Sequence, residues 1–184
     1  MAGFGNHSSC ACCGDLLQRR FDRRSFLRVG GGAALAAALP SLAQAAEGQY
    51  DAMLLNCIDP RFQPLSDKYL DGRSMNGKYS QFTIAGASIG VVAPSFKAWA
   101  PAFWDNLAAS MQLHRIPKVI VVNHRDCGAA KIAYGEDAVK DKATETATHQ
   151  ASLMEFQKQL ADRQPSLKAE LLLMALDGTV DTFN

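Results

Sequence analysis

Apolar residues fall along this chain in two kinds of pattern. Residues 50–56 (Tyr-Asp-Ala-Met-Leu-Leu-Asn) and 118–123 (Lys-Val-Ile-Val-Val-Asn) are short, nearly continuous apolar runs, the second β-branched and introduced by Pro117. Strands apolar on both faces are covered on both faces, as parallel strands are. Residues 81–84 and 170–176 are two further candidate strands. Residues 95–113, with Phe96, Trp99, Phe103, Leu107 and Met111, repeat instead at helical spacing, as do residues 144–163 with Leu153, Phe156 and Leu160. This alternation predicts an α/β domain: a mostly parallel β-sheet flanked by helices. Residues 67–78, with Gly72 and Gly77, read as a mobile loop. The stripe Phe96, Trp99, Phe103 reads as core or an oligomer contact rather than a substrate box, and His114 and His149 read as surface residues without partners.

Composition bounds the class. With 48% hydrophobic and 20% charged residues, 14 glycines and 7 prolines, the chain is globular, which excludes disorder, collagen and coiled coil. The net charge of +1 hides an asymmetry: residues 1–45 carry five Arg against Asp15 and Asp22, and the remainder carries 14 Lys+Arg against 16 Asp+Glu. The slightly acidic remainder lacks the electrostatic basis for nucleic-acid binding, so a small-molecule partner is expected. In the first part, Asp22-Arg23-Arg24-Ser25-Phe26-Leu27-Arg28 precedes an uncharged Ala/Gly/Leu stretch ending near Ala43-Gln44-Ala45. That is the layout of a signal peptide, and the apolar part is too short to span a membrane stably. The paired arginines with Ser-Phe-Leu resemble the twin-arginine export signal, which implies delivery to the periplasm as a folded protein. Residues 1–45 are therefore read as a removed leader and 46–184 as the functional domain. Cys10, Cys12 and Cys13, with His7 nearby, could bind a soft metal, but a removable leader offers no fold to position them.

Two cysteines remain, Cys57 and Cys127, and each follows a strong strand. The first strand runs into Cys57-Ile58-Asp59-Pro60-Arg61, the second into His124-Arg125-Asp126-Cys127-Gly128. Ligands of open α/β sheets bind beyond the carboxyl ends of strands. If the two strands are neighbours, Cys57, His124 and Cys127 meet there as a soft nitrogen/sulfur set suited to Zn²⁺, with a fourth tetrahedral position open as in catalytic sites. Gly128 is expected to relieve crowding where the chain turns into the next helix. A rival reading from a different class is a structural Cys57–Cys127 disulfide in an oxidising compartment, although it leaves His124 and the Asp59/Arg61 pair unexplained.

Cys-x-Asp-x-Arg, followed some 65 residues later by His-x-x-Cys-Gly after an Ile/Val strand, resembles the β-class carbonic anhydrases. The resemblance covers about residues 50–135, including Ile84-Ala85-Gly86-Ala87, where the family has a glycine-bearing active-site strand. It implies zinc on Cys57, His124 and Cys127, with Asp59 and Arg61 as the acid/base dyad beside it. Asp59 would become a fourth ligand in a closed state. The implied reaction is reversible hydration of carbon dioxide to bicarbonate, and the implied assembly a homodimer. The family's Arg-Asn-Ala-Gly stretch is here Thr83-Ile84-Ala85-Gly86, and its helical arm before the first strand has no counterpart between residue 46 and Tyr50. Hydrolysis of a carbon–sulfur substrate, and zinc or anion binding without turnover, are the alternatives.

Overall fold

The computed structural model describes residues 48–183. The leader features named above (Arg23, Arg24, His7, Cys10, Cys12, Cys13 and the boundary at residue 45) lie outside the described residues. Strands β1 (Ala52–Asn56), β2 (Tyr79–Thr83), β3 (Lys118–His124), β4 (Lys168–Met174) and β5 (Val180–Phe183) form one sheet in the order β2-β1-β3-β4-β5. The first four are parallel and β5 is antiparallel to β4. The helices are α1 (Gln63–Gly72), α2 (Ser88–Val92), α3 (Ala100–His114), α4 (Gly128–Tyr134) and α5 (Lys142–Arg163). Among the described residues no helix is long and apolar enough to cross a membrane.

Period-two alternation explains the two layers. Leu54, Ile120, Val122, Leu172 and Met174 face Phe62, Leu70, Ile89 and Ala130 on one side. Met53, Leu55, Val119, Val121 and Leu171 face Phe103, Leu107, Leu153, Phe156 and Leu160 on the other. Every residue of β1, and all of β3 after Lys118, is buried, which is why both runs are apolar without polar alternation. From β1 the chain winds outward to β2, then returns past β1 to β3 on its other side. The reversal leaves a crevice beyond the ends of β1 and β3, where an open α/β sheet holds its ligand.

Three expectations are corrected. The segment 67–78 begins inside α1: Ser66 and Leu70, one turn apart, are buried, and Pro64 sits in the first turn, where no amide is needed. Only two of its ten residues are buried, so the apolar signal was faint. The helix expected from residue 95 instead starts at Ala100, because Pro101 fits a first turn but not a helix interior; a 3-10 turn over Pro94–Phe96 precedes it. The aromatic stripe is thereby split: Phe103 enters the core on one face of the sheet, while Phe96 enters the core on the other and stacks on the exposed Trp99 at 4.2 Å. Neither histidine is a partnerless surface group. His114 packs edge-on against Tyr50 at 4.9 Å, and His149 is fully buried.

His149 belongs to a buried polar hub behind the crevice. Asn123 donates from Nδ2 to His149 Nδ1 at 3.1 Å and to Ser152 Oγ at 3.2 Å. Its Oδ1 accepts from Ser88 N at 3.1 Å and from Ser88 Oγ at 2.9 Å. The hub ties α2 and α5 to the end of β3. Burial, followed by the nearby charges of His124 and Arg125, depresses the His149 pKa from 6.5 to about 4. Above pH 6.5 the group is neutral in both folded and unfolded chains and has no effect. Between about 6.5 and 4 the unfolded chain takes up a proton that the folded chain refuses, so stability falls by up to about 3 kcal/mol on acidification. Urea midpoints measured from pH 7 to pH 4 should decline, and His149→Leu, weaker at pH 7, should decline less steeply. Parallel pH profiles for the two proteins would refute this.

Candidate metal centre

The register pairs Asn56 of β1 with Val122 of β3, so Cys57 and His124 leave adjacent strands side by side. Cys127 follows at the N-cap of α4. Cys57, His124 and Cys127 are all buried, and their donor atoms lie within 4.8 Å of one another. The expectation that the two strands are neighbours is met, and the three residues it named come together. Both cysteines are free thiols whose sulfurs stand 4.0 Å apart. A disulfide needs about 2.05 Å, whereas two sulfurs on one tetrahedral zinc at about 2.3 Å stand roughly 3.8 Å apart. The disulfide alternative is therefore not the arrangement found.

The imidazole is prepared in the same sense. His124 Nδ1 donates to the Arg125 carbonyl at 2.8 Å, which fixes the tautomer and leaves the Nε2 lone pair free. Nε2 is buried with no hydrogen-bond partner, a costly condition that a metal would relieve. Phe62 stacks on the ring at 4.9 Å and holds its plane. Gly86 N donates to Cys57 Sγ at 3.2 Å. That contact uses a turn beyond the end of β2, not a strand: Gly86 has φ 79°, and a Cβ there would meet Ala129 and Ile89 at 3.0 Å. Gly128, by contrast, has open space where a Cβ would stand, so the crowding expected there is not found.

The charges sort the donors. A hydrogen bond from Cys127, aided by His124 and Gly86, pulls the Cys57 thiol pKa down despite burial. The same Cys57 bond, with burial, pushes Cys127 up. Burial opposes charge on His124, but the Cys57 sulfur, the Arg125 carbonyl and Asp59 together outweigh it and raise its pKa. Cys57 is thus the sulfur more readily ionised of the two, and a cation held between the three donors would favour the thiolate form further. Soft donors, matching spacing and an orphaned nitrogen fit a zinc-type ion.

Asp59 and Arg61 stand beside this group. Arg61 donates from Nη2 to Asp59 Oδ2 at 2.7 Å, from Nε to Oδ1 at 3.1 Å and from its backbone N to Oδ1 at 2.9 Å. These bonds hold the Asp59 carboxyl down at about 2 and raise the pKa of Arg61. Asp59 Oδ2 lies 3.9 Å from His124 Nε2, on the side where that nitrogen lacks a partner. A cleft of about 530 Å³ opens over Cys57, Asp59 and Cys127, walled by Ile58, Ala85, Phe96, Trp99, Ala129 and Ile132. Sequence reasoning missed Phe96 and Trp99 as cleft walls, because the helix start at Ala100, which separates them from Phe103, was hidden by their helical spacing. It also missed Gln63, which donates to the Cys57 carbonyl, and Asp126.

Comparison with known proteins agrees with the geometry. The model of the family described as "Putative carbonic anhydrase" matches residues 47–161. An uncharacterized protein of Rickettsia conorii is 30% identical over 129 residues, covering 70% of this chain and 69% of that protein. The beta-carbonic anhydrase CcaA superposes with a TM-score of 0.54 at 15% identity, covering 74% of this chain and 81% of that one. A Coccomyxa beta-carbonic anhydrase, solved in complex with acetazolamide, gives 0.51 at 13% identity, covering 76% and 74%. At such identity the structures speak for the fold alone. With the family match spanning most of the described residues, and a Cys-His-Cys group at the sheet's crevice, this chain belongs to that carbonic anhydrase family and has the β-carbonic anhydrase fold.

Proposed function

We propose that this protein binds zinc through Cys57, His124 and Cys127 and catalyses the reversible hydration of carbon dioxide to bicarbonate. The observation that carries the reading is the convergence of three buried soft donors with a charge-paired carboxylate, Asp59, at one cleft. Zinc at such a site would supply a Lewis acid that acidifies a water, less strongly than with three imidazoles because two thiolates offset its charge, so activity should rise towards alkaline pH. The chain's own residues do the rest. Asp59, kept ionised by Arg61, accepts a hydrogen bond from the attacking oxygen and orients it. Arg61 keeps Asp59 in its pair, and Asp59 released from that pair would close the site as a fourth ligand. The apolar walls at Ile58, Ala85, Phe96, Trp99, Ala129 and Ile132 admit an uncharged, nonpolar gas and limit competing water. Those walls suit a small carbon–sulfur substrate too, which makes a related hydrolase the second reading.

Metal analysis of the purified protein together with a stopped-flow carbon dioxide hydration assay tests the proposal. About one zinc per chain with turnover supports it. Zinc without turnover leaves a binding protein, and turnover of the carbon–sulfur substrate alone selects the hydrolase.

The same reading takes residues 1–45 as a twin-arginine signal and the periplasm as the working compartment. Export of a folded chain suits this site, since zinc can occupy the thiolates in the reducing cytoplasm before oxidation reaches them. The assembly is expected to be a homodimer. Exposed Ile58, Trp99 and Ile132 around the cleft support a covering partner. For export, Arg23→Lys with Arg24→Lys should leave uncleaved precursor in the cytoplasm on fractionation, and the same change at Arg19 and Arg20 should not. Normal periplasmic arrival of the first variant would overturn the twin-arginine reading.

A further inference from the structure

Arg61 lies between two carboxylates, and its pair with Asp59 accounts for only one of them. Its Nη1 donates to Asp126 Oδ2 at 2.8 Å, and Nη2 donates to the Asp126 carbonyl at 3.1 Å. Asp126 therefore grips the guanidinium on its Nη1/Nη2 edge, with both side chain and main chain, while Asp59 holds the adjoining Nε/Nη2 edge. The grip depends on an uncommon backbone: Asp126 has φ 54°, a left-handed conformation that non-glycine residues seldom adopt. Its neighbours enforce that conformation. Asp126 N donates to Glu145 Oε1 at 2.6 Å, and Glu145 is itself buried in the first turn of α5, its other oxygen accepting from Arg125 Nη1 at 3.2 Å. Lys131 Nζ stands 3.6 Å from the second Asp126 oxygen.

Anchoring at one edge would hold Arg61 poorly. Its side chain is 51% exposed, and a solvent-exposed ion pair on a long, flexible side chain holds weakly against water. Gripped on two edges, the planar fork has one orientation in which all its partners are met. We infer that Asp126 is a positioning residue: it locks Arg61 against Asp59 and so keeps Asp59 in its pair and out of the space between Cys57, His124 and Cys127. This rests on the proposed role of Asp59, but its structural part does not need turnover to be tested.

The experiment uses the full chain loaded with zinc or cobalt, three variants at Asp126, and Arg61→Ala as the spectral reference. Asp126→Gly keeps the left-handed backbone, and with it the carbonyl contact, but loses the carboxylate. Asp126→Ser is too short to reach Nη1 and should match it. Asp126→Asn keeps an acceptor at the same reach. In nitrogen-resolved NMR the Arg61 guanidinium should show slowed rotation in the wild type and in Asp126→Asn, and averaged signals in Asp126→Gly and Asp126→Ser. The cobalt absorption spectra of the glycine and serine variants should move towards that of Arg61→Ala, with metal content unchanged. Turnover should fall about tenfold with KM altered less than twofold, and Asp126→Asn should recover most of it, as expected of a residue that orients a site group without touching substrate. Wild-type Arg61 signals and a wild-type cobalt spectrum in Asp126→Gly would reduce Asp126 to a turn residue. A wild type without carbon dioxide turnover would instead defeat the functional reading and leave the NMR and cobalt results to decide the positioning role.

Discussion

Asp59→Asn should keep its zinc and its fold and lose on the order of 10²-fold in turnover, the size expected when a positioned acid/base group is removed. The substitution is close to isosteric and the side chain is only 15% exposed, so little else is disturbed. What changes is the charge that pairs with Arg61 and faces His124 Nε2. Arg61→Ala should also lose activity, but for another reason. With the guanidinium gone Asp59 can leave its place, and the cobalt-substituted protein should show a spectrum closer to that of a fully protein-ligated ion. Because the two residues act through one pair, the double variant should cost little more than either single one. Full turnover in Asp59→Asn would reduce the pair to a surface ion pair and leave a zinc-dependent activity that does not use it.

Cys57→Ser and Cys127→Ser should each lose nearly all bound metal and a large part of the protein's stability. Both side chains are almost wholly buried at the end of the sheet, and each deletion leaves two donors facing each other with no ion to pair them. Binding free energy at such a site is also folding free energy. A loss of about 3 kcal/mol corresponds to a fall of roughly 10 °C in Tm for a domain of this size. Chelation of the wild type should give a similar drop, and the serine variants should then respond little to the chelator. Thermal melts with and without chelator, beside metal analysis, measure both effects. Full metal content in either variant would remove that cysteine from the ligand set.

The strongest elements were legible because their physics is local. β1 and β3 are apolar on both faces, and a run of that kind has few places to go except the middle of a sheet covered by helices. Cys57, Asp59, Arg61, His124 and Cys127 were legible because each stands just past or at the end of such a strand. α5 was readable from its amphipathic period, and the structure adds only the Asp141 cap, whose side chain accepts from Thr144 N at 2.8 Å and moves the start to Lys142. α1 was not legible, since most of its residues face solvent and two glycines stood where a loop was plausible.

The chain alone therefore determined the class of fold, the strands that carry the chemistry and the residue types offered at their ends, because strand burial and side-chain chemistry are properties of short segments. Tertiary structure decided everything that depends on which segments become neighbours. Only the sheet order sets Cys57 beside His124, 67 positions apart in sequence, and only the register sets their sulfur and nitrogen within reach of one ion. The burial of His149 was decided by α5 packing over Asn123. The separation of Phe96 and Trp99 from Phe103 was decided by where α3 could begin. The second grip on Arg61 comes from Asp126, 65 residues away, held in a left-handed turn by Glu145 from another helix. Periodicity carries no trace of such contacts, because their energy is realised only after the chain has closed the long loops between them.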